Sequence, residues 1–133
     1  MKQLELQQHI ASLSTEEFDT FLSELPKNDL FTIDEEMELI YRIRKGGEIA
    51  ESAKEMLAKS YLRFIYSVAK LYQGQSLSIQ ELLVSGISGL IKAIVKYDET
   101  RGFKFMSYSV WWIRQQMIND IHKRETNQQT ICQ

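Results

Sequence analysis

Residues 78–96 read Ser-Ile-Gln-Glu-Leu-Leu-Val-Ser-Gly-Ile-Ser-Gly-Leu-Ile-Lys-Ala-Ile-Val-Lys. Ser78 followed three residues later by Glu81 is a capping box, in which each side chain satisfies a backbone N–H that the helix itself leaves unpaired. Behind it Ile79, Leu82, Leu83, Gly86, Ile87, Leu90, Ile91 and Ile94 recur at spacings of one, three and four, the period of an α-helix. Their arc is too broad for a helix resting on a surface. The segment reads as the central helix of a bundle, and the rest of the chain is expected to pack around it.

Working outward, the same punctuation recurs. Ser14 with Glu17 opens a short helix carrying Phe18, Phe21, Leu22 and Leu25, which ends before Pro26. Thr32 with Glu35 opens a second, through Met37, Leu39, Ile40 and Ile43, stopped by Gly46-Gly47 after the basic pair Arg44-Lys45. A third helix is predicted over roughly 48–73, on the stripe Ala50, Ala53, Leu57, Tyr61, Phe64, Ile65, Val68, Tyr72. Residues 97–102 form a turn, a last helix spans about 107–123, and the polar residues 125–133 are expected to fray. The fold class is therefore all-α, a compact bundle of about five helices in one domain over 1–133. Within it, 1–47 holds the acidic N-terminal helices, 48–124 the core, and 125–133 a polar tail.

Composition agrees and excludes several classes. With 44% hydrophobic and 26% charged residues, six Gly and one Pro, the chain is that of an ordinary globular protein. No run of apolar residues is long enough to cross a membrane, and the first thirty residues carry acidic groups where a secretory leader needs a basic start, so a cytoplasmic location is expected. Cys132 stands alone, with only His9 and His122 to join it as the usual N and S metal ligands. An internal disulfide and a metal cage are excluded, and no cofactor is expected. No carboxylate pair, Ser-His-Asp set or phosphate loop is visible, so the reading is not an enzyme.

The net charge of −2 conceals a polarity. Residues 1–39 hold two basic and ten acidic side chains, for −8, whereas 40–133 hold fourteen basic and eight acidic, for +6. Such a division suits a chain that meets a polyanion with one end. The positive charge concentrates in 101–124, with five basic residues, one acidic, and five of the fourteen aromatics. On the last helix Val110, Ile113, Met117 and Ile121 supply a core face. A second stripe, Tyr108, Trp112, Gln115, Asn119 and His122, remains, with Trp111 and Arg114 beside it. Rings that stack on bases, cations that hold phosphates and amides that pair with base edges are what unstacked nucleic acid requires. The same Trp pair could instead anchor a protein interface, or one ring could pack inside.

At these residues the chain resembles the bacterial sigma factors of the primary, housekeeping-related type. Arg-Gly-Phe-Lys-Phe-Met-Ser-Tyr-Ser-Val-Trp-Trp-Ile-Arg-Gln over 101–115 is similar to their promoter-melting segment. The likeness continues through residues 89–98, 62–70 and 32–46, the last similar to the region preceding the family's central helical domain. It implies a transcription initiation protein whose partners are RNA polymerase core and the single-stranded non-template strand of −10-type promoter DNA. Gln115 then matches the residue reading the upstream edge of that element, and Trp111 and Trp112 the wedge at the first melted base pair. Asp98, Arg101, Phe105 and Tyr108 match the surround of a flipped adenine, with Phe103 and Lys104 between them. Asn119 on the stripe and Arg114 beside it are DNA-binding candidates from helical spacing alone.

The chain also departs from that family. On the helix over 79–96 the family docks polymerase through a polar surface, of which Glu81 keeps the pattern while Val84, Ser85 and Ile87 do not. Val84 and Ile87, with Leu83 and Ile91, are expected to form an apolar strip covered by the N-terminal helices, a second copy or another partner, so that Glu81, Val84, Ser85, Ile87 and Ile91 are the expected partner-binding residues. A family Asn in a second base pocket is Tyr61 here, and a Thr one turn beyond the reading Gln is Ile118. The resemblance ends near residue 124, before any helix-turn-helix for an upstream element, which suggests a shortened factor or a modulator. The alternative is a protein-interaction module, or a homodimer, on a sigma-like fold with altered docking.

Overall fold

A computed structural model describes residues 3–26 and 31–132, the side chains from 128 onward excepted. Lys2 and Lys27, two of the charges counted above, lie outside the described residues. These comprise six α-helices, α1 (Glu5–Ser12), α2 (Thr15–Ser23), α3 (Ile33–Lys45), α4 (Glu48–Ala69), α5 (Ile79–Lys96) and α6 (Phe105–Cys132), with 3-10 turns at Lys70–Tyr72 and Glu99–Arg101. No strand occurs among them. The all-α class is as read, and the three capping boxes open α2, α3 and α5 as expected.

Three differences stand out. The first helix, α1, has no Ser, Thr, Asp or Asn at its start and so lacks the usual N-terminal signal. The second is the C-terminal end, where α6 continues to Cys132 through a segment expected to fray. The final helix also begins at Phe105, two residues ahead of the expected start.

The chain divides into two compact units, residues 1–64 and 65–133, the boundary falling within α4. In the first, α1 buries Leu6 and Ile10, α2 buries Phe18, and α3 buries Leu39, Ile40 and Ile43. Charged side chains of α4 satisfy helix ends elsewhere in this unit. Glu55 accepts from the backbone N–H groups of Glu5 at 2.7 Å and Leu6 at 3.2 Å, while Arg63 donates to the carbonyls of Pro26 at 2.9 Å and Leu25 at 2.6 Å. Unpaired groups at helix ends thus find partners far away in sequence. Tyr61 is buried, and its hydroxyl donates to Glu36. Half-burial pushes the Glu36 carboxyl above its ordinary range, an effect the Tyr61 hydrogen bond partly offsets.

The second unit is built on the pairing of α5 with α6. Leu82, Leu83, Ile87, Leu90, Ile91 and Ile94 of α5 are buried, as are Ile113, Met117 and Ile121 of α6. Val110, the fourth residue of the expected core face, is half-buried. Polar pins run beside this apolar seam. The Ser85 hydroxyl donates to Asp120 Oδ2 at 2.5 Å, Gln116 Nε2 donates to both oxygens of Asp120 at 3.1 Å, and Lys92 Nζ donates to Gln116 Oε1 at 2.6 Å. Near the other end of the seam Arg124 pairs with Glu81 and the Ser76 hydroxyl donates to the Ile121 carbonyl at 3.2 Å.

Candidate nucleic-acid interface

The turn between α5 and α6 is shaped by Asp98 and Gly102. Asp98 Oδ1 accepts from the Thr100 N–H at 3.0 Å and the Thr100 hydroxyl at 2.6 Å, winding the 3-10 turn. Gly102 closes it at φ +84, a left-handed conformation in which a Cβ would be strained. The chain then enters α6 with Phe103 and Lys104 exposed on its approach.

Here six rings form a continuous cluster. Tyr97 lies 5.2 Å from Phe105, 5.6 Å from Tyr108 and 6.1 Å from Phe103. Phe103 stacks on Tyr108 at 5.5 Å, Tyr108 meets Trp112 at 6.3 Å, and Trp112 meets Trp111 edge to face at 5.1 Å. The cluster is graded in exposure. Phe105 is 2% exposed and Tyr97 buried, whereas Phe103 is 39% and Trp111 57% exposed, with Tyr108 and Trp112 between them. Inner rings anchor outer ones, and two hydroxyls fix the arrangement. Tyr97 donates to the Phe103 carbonyl at 2.7 Å and Tyr108 to the Lys96 carbonyl at 3.2 Å.

Cations lie close in sequence to the outer rings. Arg101, Lys104 and Arg114 are exposed, and Arg114 Nε donates to the Tyr72 hydroxyl at 3.1 Å. Arg101 is 4.0 Å from Asp98, an exposed ion pair of little energetic weight. Gln115 is half-buried and Asn119 exposed, one and two turns beyond Trp111. Chemically the surface can stack a planar base on Trp111 or Phe103 and hold backbone phosphates beside it. Phe105 cannot stack on a ligand as placed, since its ring lies inside against Tyr97. Tyr97 and Tyr72 were missed in the sequence reading. Tyr97 sits at the buried end of α5, where a ring signals core, and only its contact with three site aromatics gives it a place here.

The expected docking strip requires correction. Ile87 is 0% exposed, and Ile91 and Ser85 are likewise buried. Ser85 is held by Asp120 of α6. Of the residues assigned to that face, Glu81 and Val84 alone are half-exposed, and Glu81 is engaged by Arg124. Val84 and Ile87, three apart, straddle the edge of the buried arc rather than sharing an outer face.

The fold and this surface define an all-helical protein whose longest helix opens on a partly exposed aromatic and basic face. The sigma-70 region 2 family matches residues 57–126, and the chain belongs to it. RNA polymerase sigma factor SigA of Lactococcus lactis subsp. cremoris is 45% identical over 101 residues, 76% of this chain and 28% of that protein. The SigA of Lactococcus lactis subsp. lactis strain IL1403 is 45% identical over 101 residues and that of a Bacillus species 42%, each match covering 76% of this chain and 26% of the relative. The chain thus spans little more than a quarter of the length of these relatives. None of its described helices is long and apolar enough to cross a membrane.

Proposed function

We propose that this chain acts with RNA polymerase core in transcription initiation, capturing the single-stranded non-template strand of −10-type promoter DNA on the face formed by Phe103, Tyr108, Trp111 and Trp112. The observation that carries the reading is Trp111, a large ring 57% exposed and supported edge-on by Trp112, bordered by Arg114 and close in sequence to Arg101 and Lys104. A fold does not need a tryptophan held out in solvent by its neighbours. The printed names of the relatives, RNA polymerase sigma factors, support the polymerase partnership.

The energetics are those of capture. Extruding a base costs a few kcal/mol, and a base stacked on an aromatic side chain recovers about 1–3 kcal/mol. Captured bases therefore offset much of the cost of opening, with no fuel consumed. Gln115, half-buried, is suited to read a base edge at the duplex boundary, and Arg101, Lys104 and Arg114 to hold phosphates. The hydroxyls of Tyr97 and Tyr108 donate to backbone carbonyls, so Tyr108 contributes ring surface and the buried Tyr97 rigidity. Partner contact on α5 falls to Glu81 and Val84.

Fluorescence anisotropy with labelled oligonucleotides tests the reading. The chain is expected to prefer a single strand of −10-like non-template sequence over a scrambled strand and over duplex, and Trp111→Ala with Trp112→Ala is expected to abolish the preference. Equal affinity for all three, unchanged by the double substitution, would sink it.

A further inference from the structure

We propose that Gly89 of α5 is a positioning residue for the aromatic reading face: the absence of its side chain sets where the backbone of α6 carries Trp111 and Trp112. The proposal rests on the DNA-reading function above and names what holds that site in place.

The geometry is specific to this glycine. A Cβ at residue 89 would lie 2.6 Å from the carbonyl oxygen of Trp112, 2.8 Å from the Cα of Ile113 and 3.0 Å from the carbonyl carbon of Trp112. All three are backbone atoms. No rotamer change relieves the overlap, and since carbon atoms settle at about 3.5–4.0 Å, α6 would have to withdraw by roughly 1 Å at its point of closest approach. The displaced residue is Trp112 itself, neighbour to Trp111 and one turn from Tyr108, whose rings stand 5.1 and 6.3 Å from its own. Stacking surfaces tolerate misplacement of only about 0.5 Å when they must meet a ligand in fixed geometry.

Gly86, one turn earlier, provides the contrast. A Cβ there would meet Ile65 Cγ2 at 2.4 Å, Met117 Cε at 2.7 Å and Ile113 Cγ2 at 3.4 Å. These are side-chain atoms of the core. Filling Gly86 disturbs packing, whereas filling Gly89 pushes on the main chain of the reading helix, so the two substitutions separate stability from placement.

The test compares Gly89→Ala with Gly86→Ala in the full chain. Ile94→Val, a mild truncation of a buried α5 residue, is a second core control, expected to fold because such a truncation is among the least costly in a core. Helicity is followed by far-UV circular dichroism, Trp environment by near-UV circular dichroism, and affinity for the −10-like strand by anisotropy, all at low temperature. Gly89→Ala is expected to remain helical, to alter the Trp bands and to lose about tenfold in affinity, with Gly86→Ala and Ile94→Val within about twofold of the parent. Equal losses for Gly89→Ala and the core controls, a Gly89→Ala chain that has lost its helices while Ile94→Val keeps them, or Trp bands identical to the parent would each overturn the proposal. Should the parent show no preference for the promoter strand, the DNA reading falls, and the near-UV comparison still decides whether Gly89 places the Trp pair.

Discussion

Phe105 and Trp111 illustrate how one cluster assigns opposite duties to similar side chains. Phe105 is enclosed, with its ring 5.2 Å from Tyr97, and truncating it removes core volume that the surrounding helices cannot refill. Phe105→Ala is expected to cost about 3–5 kcal/mol of folding stability, measured by urea denaturation. Trp111→Ala, at an exposed position, is expected to change stability by no more than about 0.5 kcal/mol while weakening binding of the promoter strand about tenfold or more. A Trp111 variant with full affinity would move the reading face elsewhere. The family resemblance names both rings as candidates. It could not rank them, because exposure at the start of a helix depends on how the preceding turn aims it.

For the elements, the capping boxes carry a pH dependence. The Ser78 N–H, donating to Glu81 at 3.0 Å, holds the Glu81 carboxyl below its ordinary range; burial opposes this, and the Arg124 guanidinium adds to the lowering. A carboxylate whose folded value lies below its unfolded value of 4.5 stabilises the fold above that value, and the contribution is lost as pH falls through the folded one. The melting temperature of the parent is expected to exceed that of Glu81→Gln near neutrality and to converge with it in acid, once pH has fallen through the lowered folded value. Glu36 has the opposite sign. Its raised value favours the folded state most below 4.5, and the contribution declines as pH rises through the folded value. Glu36→Gln is therefore expected to be at least as stable as the parent near neutrality and to lose that advantage in acid, in the same melting series. The first helix shows a different dependence, since Glu55 supplies the acceptors for its first turn. Glu55→Ala is expected to cost about 1–3 kcal/mol by leaving those N–H groups without their carboxylate, with loss of protection of the Glu5 and Leu6 amides by hydrogen exchange.

In the whole molecule, charge is distributed so that the acidic excess lies in residues 1–39 and the basic excess beyond them. Three exposed cations, Arg101, Lys104 and Arg114, border or lie close in sequence to the aromatic face. If each neutralises one phosphate of a single strand, log affinity is expected to fall against log salt with a slope of about −2. Titration of the labelled strand at several salt concentrations measures it. A slope near zero would mean that binding, if present, is carried by the rings alone.

The sequence by itself determined the helical class, the three capped helix starts and the concentration of aromatic and basic residues in 101–124. Each is a local matter, since a cap is satisfied within four residues and helical periodicity lies along one strand of chain. Family membership was legible for the same reason, in the run from Arg101 to Gln115. Tertiary structure alone decided the rest. Helix α1 starts where Glu55, fifty residues away from Glu5, accepts its first N–H groups. Ser85 and Ile87 looked like a partner surface by comparison with a polar pattern, yet they lie inside, with Ser85 bonded to Asp120 on α6. The height of Trp112 above the core depends on a missing methyl group at Gly89. Burial is a property of what packs against a residue, and a single strand of sequence carries only half of each contact.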